Sequence, residues 1–295
     1  MSVTSLKTWV DAARPKTLAA AFVPVLVGAS IVWSETSTLH WAATLIALFC
    51  AFLIQIGTNF ANDYFDFIKG ADTHERIGFI RATASGLVPA KTMLYATIAC
   101  MTLAFILGLY LVWIGGWVVL AIGIASLIFG ILYTGGPYPL GYNGLGDVFV
   151  FIFFGIVAVM TTYYINTLEW SESSFWAALA VGALSTNILV VNNLRDIEQD
   201  KKAGKKTLGV LFGENLLKWE YTLMILLAFA IPPHFHFQLG YNLWVYLPFL
   251  VLPLAFSLVR TIWIEKEKVK LNSVLEKTAQ FMILFCVLFS VGLIL

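Results

Sequence analysis

Charge is what this 295-residue chain has least of: Asp, Glu, Lys and Arg make up 12% of it, against 60% hydrophobic residues and a mean hydropathy of +0.85. So few charges exclude an ordinary soluble domain, in which about a quarter of residues are charged, and leave a polytopic membrane protein. The charges that exist cancel to +1, so there is no basic footprint for a nucleic-acid partner. Cysteine is as scarce. Cys50, Cys100 and Cys286 lie in separate apolar runs, at spacings that suggest neither a zinc site nor a disulfide framework, and read as small packing residues. Of the four histidines, His234 and His236 look like a metal pair. They stand in an outer loop among aromatics, where interfacial anchoring is the better reading.

What the chain has in abundance is apolar runs. Nine of spanning or near-spanning length are expected at about 18–34, 41–62, 93–114, 117–133, 147–166, 175–194, 216–231, 243–264 and 278–295, the seventh closed by Pro232-Pro233. The start resembles a signal sequence, with Lys7, Arg14 and Lys16 ahead of Leu18-Ala19-Ala20-Ala21-Phe22, and is read as a retained first helix. With the N-terminus in the cytoplasm and loops alternating, all 18 Lys and Arg fall on the inner side, while the outer side keeps Glu35, Glu169 and Glu172. That is the positive-inside pattern; it supports nine spans and a C-terminus outside. Dropping one span would scatter basic residues across both faces.

Two acidic clusters interrupt this economy: Asn62-Asp63-Tyr64-Phe65-Asp66, and Asn192-Asn193-Leu194-Arg195-Asp196-Ile197-Glu198-Gln199-Asp200. Carboxylates at the edge of hydrocarbon cost roughly 2.5–3.5 kcal/mol each, so something has to compensate them. Both clusters end even-numbered spans, the second and the sixth, at the cytoplasmic side. On the second, Gln55, Asn59, Asn62/Asp63 and Asp66 follow spacings of three or four and share a face; on the sixth, Asn192, Asp196 and Asp200 do the same. The acids sit at helix C-termini, where the dipole is already negative. A hard divalent cation with oxygen ligands, Mg2+ above all, resolves both penalties.

A basic loop follows each cluster. The first carries Lys69-Gly70-Ala71-Asp72-Thr73-His74-Glu75-Arg76, then Arg81; the second carries Lys201-Lys202-Ala203-Gly204-Lys205-Lys206-Thr207. Lys218, Lys266, Lys268 and Lys270 are read as topology determinants, whereas Arg81, Lys205 and Lys206 flank the acids and suit phosphate oxygens. Asp147 is read as the N-cap of the fifth span. Acid for metal and base for phosphate, present twice, suggest a metal-bridged diphosphate held between two half-sites.

Asn62-Asp63-x-x-Asp66 with Asn192-x-x-x-Asp196-x-x-x-Asp200 resembles the two aspartate motifs of the UbiA superfamily of intramembrane prenyltransferases, and Ala13-Arg14-Pro15-Lys16-Thr17-Leu18 is similar to its first-helix start. Several stretches look more narrowly like the 1,4-dihydroxy-2-naphthoate polyprenyltransferases of menaquinone synthesis. These are Asn62–Asp66 with Lys69–Thr73, Tyr133-Thr134-Gly135-Gly136-Pro137 with Gly144-Leu145-Gly146-Asp147, Asn193-Leu194-Arg195-Asp196 with Gly204–Leu208, Leu271-Asn272 and Thr278-Ala279. The resemblance implies a single all-α transmembrane domain over 1–295, nine helices around a central cavity opening to the cytoplasmic side, in the inner (plasma) membrane. It implies a polyprenyl diphosphate donor and an aromatic acid acceptor, with Asp63, Asp66, Asp196 and Asp200 holding Mg2+. Asp72 comes six residues after Asp66, where many members place an acid four later; it is a ligand, or a group that orients water or a basic side chain. Arg81, Lys205 and Lys206, with Arg14 and Arg195, would take the diphosphate charge, and Asn59, Asn62 and Asn192 would position phosphate or metal-bound water. Tyr133 and Tyr142 are candidates for handling the acceptor's protons. Other branches prenylate 4-hydroxybenzoate or homogentisate with the same acids, and an ion-coupled transporter is the alternative from another class.

Overall fold

Hydrocarbon offers backbone amides no water to bond, so long apolar runs must close their hydrogen bonds internally as helices. In the computed structural model, which describes residues 5–71, 78 and 81–295, the regular structure is accordingly helical. A short α1 (Leu6–Ala13) precedes α2 (Ala19–Thr36), α3 (Trp41–Ile68), α4 (Ala90–Leu132), α5 (Gly146–Thr167) and α6 (Glu172–Lys202). Then come the five-residue α7 (Leu208–Phe212), α8 (Glu214–Phe237), α9 (Leu243–Ile264) and α10 (Lys268–Ile294). Eight of these are long and apolar enough to cross a membrane. α4 counts twice: its 43 residues would rise about 65 Å, double the hydrocarbon thickness, and its backbone is non-helical at Gly116 (φ 66°, ψ −154°). A Cβ disfavours that φ, so glycine is what lets the chain turn back there, in the gap expected between the third and fourth spans.

Two expectations give way. α8 does not stop at Pro232-Pro233 but continues to Phe237; membrane helices tolerate internal prolines because neighbouring groups and local backbone adjustment re-satisfy the freed carbonyls. His234 and His236 therefore lie within a helix, where the His234 ring lies 4.0 Å from Trp176 and His236 Nδ1 lies 2.8 Å from the Tyr241 carbonyl oxygen. Facing different neighbours, they form no metal pair. Asp147 is not the cap of α5; Leu145 is, and Asp147 sits buried in the first turn, accepting from Asn193 Nδ2 at 3.5 Å.

Packing makes α6 central: 78% of its most apolar stretch is buried, against 17% for α4, which lies at the lipid side. α5 and α6 cross so closely that a Cβ on Gly155 would stand 2.6 Å from the Ala178 carbonyl oxygen, and one on Gly182 2.8 Å from that of Phe151. Small residues at a crossing are how membrane helices gain contact where no hydrophobic effect drives them together. The largest apolar cluster joins α2, α5, α6, α8, α9 and α10. The α3–α4 pair belongs to two smaller clusters, around Phe60, Val88 and Met93 at the charged end and around Cys50, Leu111 and Ile165 at the other. Between them the wall stays open, leaving a cavity of about 400 Å³.

Candidate active site

The cavity is polar at one end only. Asp66 from α3 and Asp196 and Asp200 from α6 line that end, while Phe105, Phe129, Phe149, Phe153, Val112 and Ile165 line the rest. The two spans run in the same direction, so both acidic clusters arrive at the same rim. All three carboxylates are buried (2%, 3% and 8% exposed), and each has a basic partner. Arg81 Nη2 donates to Asp66 Oδ2 at 2.6 Å, Arg195 grips Asp196, and the Lys205 ammonium stands between the half-sites, 3.7 Å from Asp66 Oδ2 and 3.6 Å from Asp200 Oδ1. A cation midway between two buried carboxylates is the electrostatic answer the sequence requires.

Tyr142, in the loop before α5, organises this centre. Its hydroxyl donates to Asp66 Oδ1 at 2.7 Å, and the ammonium groups of Lys69 and Lys205 lie 4.6 Å and 4.7 Å from its ring centroid. Lys69 also donates to the Thr134 carbonyl at 2.6 Å. Burial lowers the Lys69 pKa from its ordinary value and Lys205 adds to this, while Asp66 opposes it. Tyr133 lines the cavity beside these groups; burial, then the charges of Asp147, Asp200 and Asp66, push its phenol up, so it is a proton donor and not a phenolate. Thr207 is buried, lines the cavity, and its hydroxyl has no partner among the described residues.

The remaining expected residues divide sharply. Asn62, Asn192, Arg14 and Arg81 line the cavity, Asn62 Oδ1 accepting from Thr134 Oγ1. Asn59 lines it too, but its amide donates to the Ala13 carbonyl at 3.0 Å and to Thr17 Oγ1 at 3.1 Å, tying α3 to the segment that carries Arg14. Asp63 turns away. Its two oxygens accept the backbone N–H groups of Ala82 and Thr83 at 2.9 Å each, so it anchors the Arg81 loop. Arg195 stands behind the cavity wall, and the Lys206 side chain is exposed outside it. Asp72 and Arg76 fall outside the described residues. Sequence reasoning gave Tyr142 no part in the charge network and left Lys69 in its loop; an aromatic among glycines at Gly141-Tyr142 was the only signal.

The donor set suits a hard cation: three carboxylates and the amide side chains of Asn62 and Asn192 face one space. Among the described residues no three carboxylates converge to coordination distance, and Lys205 fills the gap.

The class these features define is a bundle of membrane helices around an apolar cavity, with paired Asn-x-x-x-Asp motifs and basic side chains at one rim. Residues 21–293 match the UbiA prenyltransferase family. The chain is 34% identical over 299 residues to a 1,4-dihydroxy-2-naphthoate octaprenyltransferase of Haemophilus influenzae, covering 98% of this chain and 96% of the relative. It is also 34% identical over 303 residues to the enzyme so named in Escherichia coli, covering 99% and 97%. A solved UbiA homolog from Archaeoglobus fulgidus bound to GPP and Mg2+ shares the fold at a TM-score of 0.67 and 17% identity, covering 97% of this chain and 99% of that one. The chain belongs to the UbiA prenyltransferase family and is an integral membrane protein and an aromatic prenyltransferase.

Proposed function

We propose that the protein transfers a polyprenyl group from polyprenyl diphosphate to 1,4-dihydroxy-2-naphthoate, releasing diphosphate and CO2 and giving demethylmenaquinol. The observation that carries the reading is the convergence of Asp66, Asp196 and Asp200 on one basic rim of an aromatic-lined cavity; near-full-length likeness to the octaprenyltransferases names the acceptor. In this reading the rim faces the cytoplasm of the inner (plasma) membrane, with the N-terminus inside and the C-terminus outside, because alternating the loops from a cytoplasmic N-terminus assigns every Lys and Arg to that side.

Asp66, Asp196 and Asp200, with the amide oxygens of Asn62 and Asn192, would hold Mg2+. Once bound, the metal supplies charge neutralisation for the departing diphosphate. Arg81, Lys205 and Thr207 bind the diphosphate oxygens, and Arg14 extends the basic rim over them. Tyr142 keeps Lys205 and Asp66 in register. As the allylic C–O bond ionises, the walls at Phe129, Phe149 and Phe153 exclude water from the cation, and the electron-rich ring carbon of the acceptor attacks it. The ring carboxylate leaves as CO2 as the new C–C bond forms. Tyr133, held protonated, donates a hydrogen bond to an acceptor oxygen in this pocket. Asp63 serves the site by fixing the Arg81 loop.

Membership of the UbiA family sets the transporter alternative aside. Turnover in detergent with three acceptors tests the rest. Magnesium-dependent pyrophosphate release is expected with 1,4-dihydroxy-2-naphthoate and not with 4-hydroxybenzoate or homogentisate, and is lost in Asp66→Ala and Asp196→Ala. Full activity in both variants would sink the two-motif mechanism; preference for another acceptor would sink the substrate assignment.

A further inference from the structure

Arg195 has no access to the cavity, yet it is 2% exposed and almost all its donors are engaged. Nε donates to Asp196 Oδ1 at 2.6 Å, and Nη2 donates to Asp196 Oδ2 at 2.6 Å and to Asn192 Oδ1 at 2.7 Å. The same guanidinium therefore grips two cavity-lining members of the second motif, Asn192 and Asp196. This contact is not free. Residues adjacent in a helix point about 100° apart, so a side chain at 195 does not naturally face the one at 196. The fork has to fold back along the helix surface, and something must hold it there. That something is on α10: Nη1 donates to Asn272 Oδ1 at 2.8 Å. Gly78 closes another side, where a Cβ would come 2.6 Å from Nη2.

We propose that Asn272 is a positioning residue, aiming Arg195 so that its fork fixes Asp196 and Asn192 toward the cavity. The inference rests on the reading of these two residues as part of the prenyl-transfer site. It gives Arg195 a role other than phosphate binding and makes α10 part of the catalytic architecture. A planar fork with two parallel donors sets a carboxylate's orientation as well as its charge, which a lysine cannot do.

The test compares Asn272→Leu, which removes the acceptor at similar volume, with Asn272→Asp, which keeps an acceptor oxygen, and with Arg195→Lys. Detergent-purified protein is assayed for kcat, for KM toward the prenyl diphosphate, for binding of manganese alone by electron paramagnetic resonance, and for metal-free melting temperature. Asn272→Leu and Arg195→Lys are expected to lose on the order of tenfold in kcat and in manganese affinity, the effect of one charge-assisted hydrogen bond. At saturating metal, KM is expected to stay within about twofold, because neither Asn272 nor Arg195 lines the cavity that takes the donor. Asn272→Asp is expected to retain wild-type values, whereas Asn272→Leu leaves the buried Arg195 Nη1 without this acceptor and is expected to melt a few degrees lower. Wild-type kcat and manganese binding in Asn272→Leu, an Asn272→Asp variant as impaired as Asn272→Leu, or equal losses of kcat and manganese affinity in Gly116→Ala, which is destabilised at the α4 bend, would each overturn the proposal. If the wild type prenylates none of the three acceptors, the functional reading fails, and manganese binding still tests the positioning.

Discussion

Single side chains carry two charge problems that the sequence poses and the structure answers differently. Tyr142→Phe removes the hydroxyl that donates to Asp66 and keeps the ring on which Lys69 and Lys205 rest. It is expected to lower kcat about tenfold, and Tyr142→Leu to lower it further and raise KM for the prenyl diphosphate, as steady-state kinetics will show. Asp63 separates two roles that its motif cannot. If it anchors the Arg81 loop, Asp63→Ala leaves two buried N–H groups unpaired, costing about 3 kcal/mol. The melting temperature then falls together with activity. A direct metal ligand would instead lose activity with melting unchanged. Asn62, Asp66, Asn192, Asp196 and Asp200 were legible because spacing of four on a helix fixes a shared face. The roles of Asp63 and Arg195 were not, since one turns on which backbone amides lie beyond the helix end and the other on a residue of the last helix.

Between elements, the glycines decide. A methyl at Gly155 or Gly182 meets backbone on the neighbouring helix, so Gly155→Ala or Gly182→Ala forces α5 and α6 apart and costs about 1–3 kcal/mol. Gly116→Ala strains a left-handed residue at the bend of α4, by about 1–2 kcal/mol. Gly108→Ala is the control, since nothing lies within 4 Å of its Cβ. Melting in detergent should order the variants accordingly; a stable Gly182→Ala would show that the crossing has slack. Sequence placed a gap between the third and fourth spans at residues 115 and 116, where the structure puts the bend of α4. It gave no warning of the α5–α6 crossing, since any glycine in an apolar run looks alike until its partner helix is known.

At the scale of the whole molecule, charge distribution governs orientation, and the acids depend on cations. Alkaline phosphatase fused after Leu295 is expected to be active and green fluorescent protein fused there dark; the reverse pattern would invert the topology. Chelation of divalent metal with EDTA is expected to abolish turnover and added Mg2+ to restore it, with little change in melting, because Arg81, Arg195 and Lys205 already compensate the carboxylates. Activity that survives EDTA would remove the metal from the reading.

Composition and periodicity alone determined that this is a helical membrane protein, with its Lys and Arg expected on one side, because hydrocarbon forbids unpaired backbone and taxes every charge. They also determined that two acidic faces end at one rim. Only tertiary structure decided which acids meet, that Lys205 and Tyr142 stand between them, and that Asp63 and Arg195 face away from the cavity. Those outcomes depend on how distant helices pack, and local spacing holds no record of that.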